Sequence, residues 1–134
     1  MSKGMNKNTS INTVKLIQGI GPKMNWDDKK NKQFIEAILS LKNTDEAERF
    51  LRDLMTESEI KEFANRLEAA SLLSKDVQYN AIIESTGLSS TTIARIAKWL
   101  KGSLGGYRLI LSRLSNVSLH HHNSSKLRKG LFLS

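Results

Sequence analysis

A chain of 134 residues with no cysteine, 6% aromatic residues and a formal charge of +8 is long enough for one modest core and too short for two full domains. Disulfides and thiolate metal sites are excluded, and no run reaches the roughly 18 apolar residues of a membrane span. The N-terminal MSKGMNKNTS has no apolar stretch of signal-peptide length, so the expected setting is the cytoplasm, with no membrane partner.

The charge is polarised. Residues 1–33 hold seven basic and two acidic side chains, 34–77 six and ten, and 78–134 eight and one. Clustered Lys and Arg attract a polyanion by releasing its condensed counterions, which favours nucleic acid as partner. Charge alone equally describes a basic protein with solvated ends.

Residues 1–25, rich in Asn, Ser, Thr and Lys and holding the only proline, Pro22, read as a flexible basic arm. From 26 to 115 every segment repeats at helical spacing. In WDDKKNKQFIEAILSLK the residues Phe34, Ile38 and Leu41 form a stripe, and Asp27 and Asp28 suit a helix start, giving a helix over about 27–42. Thr44 is a candidate N-cap for a second helix with Ala47, Phe50, Leu51 and Leu54 on one face. Thr56 and Glu59 fit a capping box opening a third helix to about Ser74, with Ile60, Phe63, Ala64, Leu67 and Ala70 as its stripe.

Asp76 is read as the cap of a fourth helix from Val77 to Thr86, which Gly87 stops. Ser89 caps a fifth, closed by Gly102, and GYRLILSRL predicts a last short helix. Residues 116–134, with HHH and several basic residues, read as a flexible basic tail. The prediction is an all-α domain of about six helices between two tails.

Within it, Gly87 fits the turn glycine of a helix-turn-helix. Ile82, Leu88, Ile93 and Ile96 then fall where two crossing helices pack, while Ile83 departs from the small residue usual at a close helix approach. Ile93, Ile96, Ala97 and Leu100 face inward, which leaves Thr91, Arg95 and Lys98 outward. Ser89, Ser90, Thr91 and Thr92 form a hydroxyl-rich tip that can address base edges in a major groove, and Arg95, Lys98 and Lys101 can meet phosphate. Tyr79 and Asn80 are further candidates for phosphate, Tyr79 being equally suited to packing.

The motifs SLKN, TESEIKEFANRLEAASLL, TGLSSTTIARI and GGYRLIL resemble the Trp repressor family and look like its YerC/YecD branch, over about Asn31 to Leu114. The resemblance implies an intertwined all-helical homodimer, a transcriptional regulator of double-stranded DNA acting at the nucleoid. It also implies an amino-acid corepressor held between two arginines, matched here by Arg66 and Arg95, with Thr56 matching the threonine that opens the long helix. The sequence departs from that pattern at Ile96 and Trp99, where the family has small residues. Two bulky side chains are expected to fill the space, which speaks against L-tryptophan as the effector. Read from the residues alone, Arg66 pairs with a neighbouring glutamate and Arg95 touches phosphate.

His120 to His122 are adjacent in a tail and unaccompanied by an ordered carboxylate cluster, so no metal site is expected. No phosphate-binding glycine loop or nucleophile elbow is present, so no enzyme and no cofactor is expected. Two other readings stay open: a replication- or recombination-associated DNA-binding factor, and a protein- or RNA-interaction adaptor with basic tails.

Overall fold

The computed structural model describes residues 23–131, with side chains as far as Ser118. The arm up to residue 22 and the His120 to His122 side chains lie outside the described residues. Among the described residues six helices follow one another: α1 (Lys29–Ser40), α2 (Thr44–Leu54), α3 (Glu57–Ser74), α4 (Tyr79–Thr86), α5 (Ser90–Lys101) and α6 (Gly106–Leu131). The all-α prediction of about six helices is met. The described residues divide into two compact units, one up to Arg49 and one from Phe50 on.

Local chemistry sets most boundaries. Asp28 caps α1, its Oδ2 accepting from the Lys30 N–H at 3.1 Å and the Asn31 N–H at 3.4 Å. At α2 the cap is Asn43 rather than Thr44: Asn43 Oδ1 accepts from the Glu46 N–H at 3.0 Å, and Glu46 Oε2 accepts from the Lys42 N–H at 2.9 Å. Thr44 is the first helical residue. An amide side chain one position earlier makes the same bond to the third N–H, so the reciprocal pattern moves back along the chain. Thr56 caps α3 as predicted, accepting from the Glu59 N–H at 3.2 Å.

Asp76 does not cap α4. It takes φ 60° and ends α3, its N–H donating to the Leu73 carbonyl at 3.1 Å while the Val77 N–H donates to the Leu72 carbonyl at 3.1 Å. That pair of bonds is a Schellman closure, with an aspartate in the left-handed place glycine normally holds. The backbone of Asp76 and Val77 is thereby committed to α3, and α4 starts at Tyr79 behind Gln78, which makes no side-chain cap bond.

The final helix is also longer than predicted. The apolar periodicity fades near residue 115, yet the backbone stays helical to Leu131. Once nucleated, each added residue gains one backbone bond without needing an apolar face, and residues 116–129 contain neither proline nor glycine to stop propagation.

The core lies in the second unit, where α3, α4, α5 and α6 meet. Ala69, Ala70, Ile82 and Ile93 are fully buried and Ile96 is 3% exposed, with Leu72, Leu73, Val77, Ile83, Leu88, Tyr107 and Leu111 packed around them. The two alanines let α3 approach α4 and α5 closely, and Ile83 is accommodated at the edge of the cluster. By contrast, much of the apolar stripe of α3's first half is on the surface: Phe63, Ala64 and Leu67 are exposed. Neither α1 nor α2 buries any residue, and Phe34, Ile38, Leu51 and Leu54 are exposed. Side chains that the periodicity assigns to a core are therefore solvent-facing in the single chain.

Candidate nucleic-acid interface

The turn between α4 and α5 is built from three consecutive residues. Gly87 takes φ 72°, ψ 7°, and its N–H donates to the Ile83 carbonyl at 2.8 Å. An L side chain rarely adopts that backbone, so glycine is used for its conformation. Thr86, 7% exposed, donates from Oγ1 to the Ile82 carbonyl at 2.7 Å and accepts from the Leu88 N–H at 3.3 Å, stitching the turn to α4. Leu88 then packs against the core.

Ser89 caps α5. Its Oγ accepts from the Thr92 N–H at 3.2 Å and lies 2.9 Å from the Thr92 hydroxyl. Ile93 and Ile96 are buried, and Ala97 and Leu100 are half-buried, as the spacing predicts. Ser90, Thr91, Arg95, Lys98 and Lys101 are exposed. The helix STTIARIAKWLK carries three cations and no carboxylate, so its outward face is uniformly positive or neutral. Tyr79, 42% exposed, and Asn80 stand exposed at the start of α4.

Thr92 is placed differently from the other hydroxyls. It is half-buried, its hydroxyl is taken up by the Ser89 cap, and it lines a cavity beside α5. That cavity, about 650 Å³, is bounded by Arg66 and Leu67 of α3, Thr92, Arg95, Ile96 and Trp99 of α5, and Gly106, Tyr107 and Ile110 of α6. Its size falls in the range of small-molecule sites.

The structure thus brings Arg66 and Arg95 to one cavity, and Ile96 and Trp99, the two side chains expected between them, both belong to its lining. Ile96, 3% exposed, belongs both to the core and to the cavity lining. Trp99, 37% exposed, stands on its wall. Thr56 is not one of the lining residues; it opens α3, roughly 15 Å along the helix axis from Arg66.

Arg66 makes the glutamate pairing read from the sequence. Its Nη2 donates to Glu62 Oε1 at 2.6 Å, and its guanidinium carbon lies 5.2 Å from the Phe63 ring centre. Its Nε is buried without a hydrogen-bond partner. Sequence reasoning missed Thr86 as the turn's fastener and Tyr107 as a cavity wall. The first was hidden among five nearby hydroxyl residues, and the second depends on the crossing of α5 and α6.

A family model for the Trp repressor protein matches residues 29–115, from the start of α1 into α6. The chain belongs to the Trp repressor family. Its members are non-enzymatic regulators, which agrees with the absence of catalytic motifs in the sequence. Among curated proteins, the uncharacterised protein YerC of Bacillus subtilis (strain 168) is 38% identical over 85 residues, covering 63% of this chain and 82% of YerC. A crystal structure of a TrpR-like protein from Eubacterium eligens is 37% identical and superposes with a TM-score of 0.64, covering 67% of this chain and 93% of that one. The fold is therefore TrpR-like. Among the described residues no helix is long and apolar enough to cross a membrane, and no cluster of His, Asp and Glu could hold a metal ion.

Proposed function

We propose that this Trp repressor family protein is a homodimeric, sequence-specific DNA-binding transcription regulator, a repressor working in the cytoplasm at the nucleoid. The observation that carries the reading is the α5 face: Ser90, Thr91, Arg95, Lys98 and Lys101 are exposed together behind the Thr86–Gly87 turn, with no acidic residue on that helix. In this reading Ser90 and Thr91 approach base edges, Ser89 and Thr92 shape the tip, and Arg95, Lys98, Lys101, Tyr79 and Asn80 meet phosphates. A second copy supplies the missing cover for α1, α2 and the first half of α3, whose apolar residues are exposed in the single chain. Sedimentation equilibrium is expected to give a dimer. A monomer at micromolar concentration would remove the second reading head and the half-site spacing it imposes.

Genome-wide mapping of the DNA bound in cells tests the function directly. Enrichment at a few promoters, with transcripts of the adjoining genes changed on deletion, supports a regulator. Enrichment without transcript changes favours a replication or recombination factor, and no enrichment favours the adaptor. The cavity between Arg66 and Arg95 is proposed as the effector site of this regulator, with L-tryptophan not its ligand, because bulky Ile96 and Trp99 stand in its lining at positions where the family has small residues.

A further inference from the structure

The C-terminal end of α5 is tied down by a residue that the DNA-binding face does not use. The last carbonyls of a helix lack intrahelical partners and carry partial negative charge. Arg108, in the first turn of α6, donates from Nη1 to the Leu100 carbonyl in the last turn of α5. Gly105, at φ 69°, turns the chain beside this contact, and a Cβ on it would lie 3.0 Å from Arg108 Nη2 and 3.7 Å from Cζ. The Gly105 carbonyl also accepts from the Leu109 N–H at 3.0 Å, which opens α6. Gly105 therefore reverses the chain and leaves room for the guanidinium.

The neighbours of Arg108 explain what this contact does. Tyr107 precedes it and Leu111 lies one turn on, and both pack against the core, so the start of α6 is anchored. The other end of α5 is anchored by the Thr86–Gly87 turn and by Ile93. Between Ile96 and Gly102 the exposed cations Lys98 and Lys101 sit on a stretch whose C-terminal carbonyls need a donor, and Arg108 supplies one with a matching charge.

We infer that Arg108 is a positioning residue for DNA recognition: by holding the Leu100 carbonyl it fixes the last turn of α5, and with it the angle at which Lys98 and Lys101 meet phosphate. This rests on the DNA-binding reading proposed above. Arg108 is spent on the helix end and does not itself bind DNA.

Full-length wild type, Arg108→Ala and Arg108→Lys are compared by amide hydrogen exchange without DNA, and by filter binding to genomic DNA fragments over a salt series. In Arg108→Ala, exchange in the last turn of α5 should rise on the order of tenfold while the Ala69 and Ala70 amides of α3 keep their protection. Binding should weaken on the order of tenfold, the size expected for loss of a charge-assisted bond, with an unchanged salt slope. Arg108→Lys, which keeps a charged donor, should recover most of both. A salt slope reduced by about 2 for the dimer makes Arg108 a phosphate contact and overturns the proposal. So does a uniform rise in exchange across α3 and α5, which marks a merely structural role, or no local change at all. If wild type bound no DNA, the exchange comparison would still decide whether Arg108 holds α5, while the DNA-binding reading would fail by itself.

Discussion

Replacing Thr86 by valine isolates the fastening of the helix-turn-helix from any contact with a ligand. Thr86 is 7% exposed, donates to the Ile82 carbonyl and accepts from the Leu88 N–H at 3.3 Å. Valine keeps the shape and the β-branch and removes both bonds. The Ile82 carbonyl, a helical acceptor with a second lone pair, loses little. The half-buried Leu88 N–H is left without its acceptor, and an orphaned donor costs about 1–3 kcal/mol; partial burial and a long bond place this one near the lower end, at about 1.5 kcal/mol. With a urea dependence of about 1.5 kcal/mol per molar for a small domain, the unfolding midpoint should fall by about 1 M at fixed protein concentration. Thr86→Ser keeps the hydroxyl and loses one methyl, about 0.8 kcal/mol, so its midpoint should fall by about half as much. A Thr86→Val midpoint indistinguishable from wild type, or a serine variant as unstable as the valine one, would refute the stitching role given to Thr86.

Gly87→Ala should cost about 1–2 kcal/mol in chemical denaturation because its φ is 72°, although a Cβ there would meet nothing within 4 Å. Gly87→Asn, which tolerates the left-handed region, should cost clearly less, and equal losses would mean that space and not conformation decides. Thr91→Ala should change the preferred DNA sequence in a selection experiment while leaving the salt dependence of binding intact; an unchanged preference would take Thr91 away from the bases. Isothermal calorimetry with L-tryptophan should show no micromolar binding, and a micromolar heat signal would refute the exclusion of L-tryptophan as effector.

The parts of the fold legible in the sequence are those decided within one turn of chain. Thr56, Ser89 and Gly87 each do what their residue types predict, because capping and left-handed turns need only neighbours. Asp76 misled for the same reason: an aspartate before a helical pattern looks like an N-cap, but its own N–H and that of Val77 are already committed to closing α3. Periodicity identified the inward residues of α5 correctly and could not say which stripes need another chain. Phe63 and Leu67 match the pattern of a core and remain exposed, since a stripe records that a face is apolar and not what covers it. The cavity was visible only as two arginines matched by resemblance. Its existence depends on the crossing of α3, α5 and α6, which places both Ile96 and Trp99 in its lining.

The central claim is that the outward face of α5 binds DNA through its cations. It is tested most directly by the slope of log affinity against log salt for wild type, Arg95→Ala and Lys98→Ala. Three cations per protomer, Arg95, Lys98 and Lys101, give a wild-type dimer a slope of at least about −5. Each substitution should weaken binding to all sequences and reduce the slope by about 2. Slopes unchanged in both variants would contradict this docking of α5.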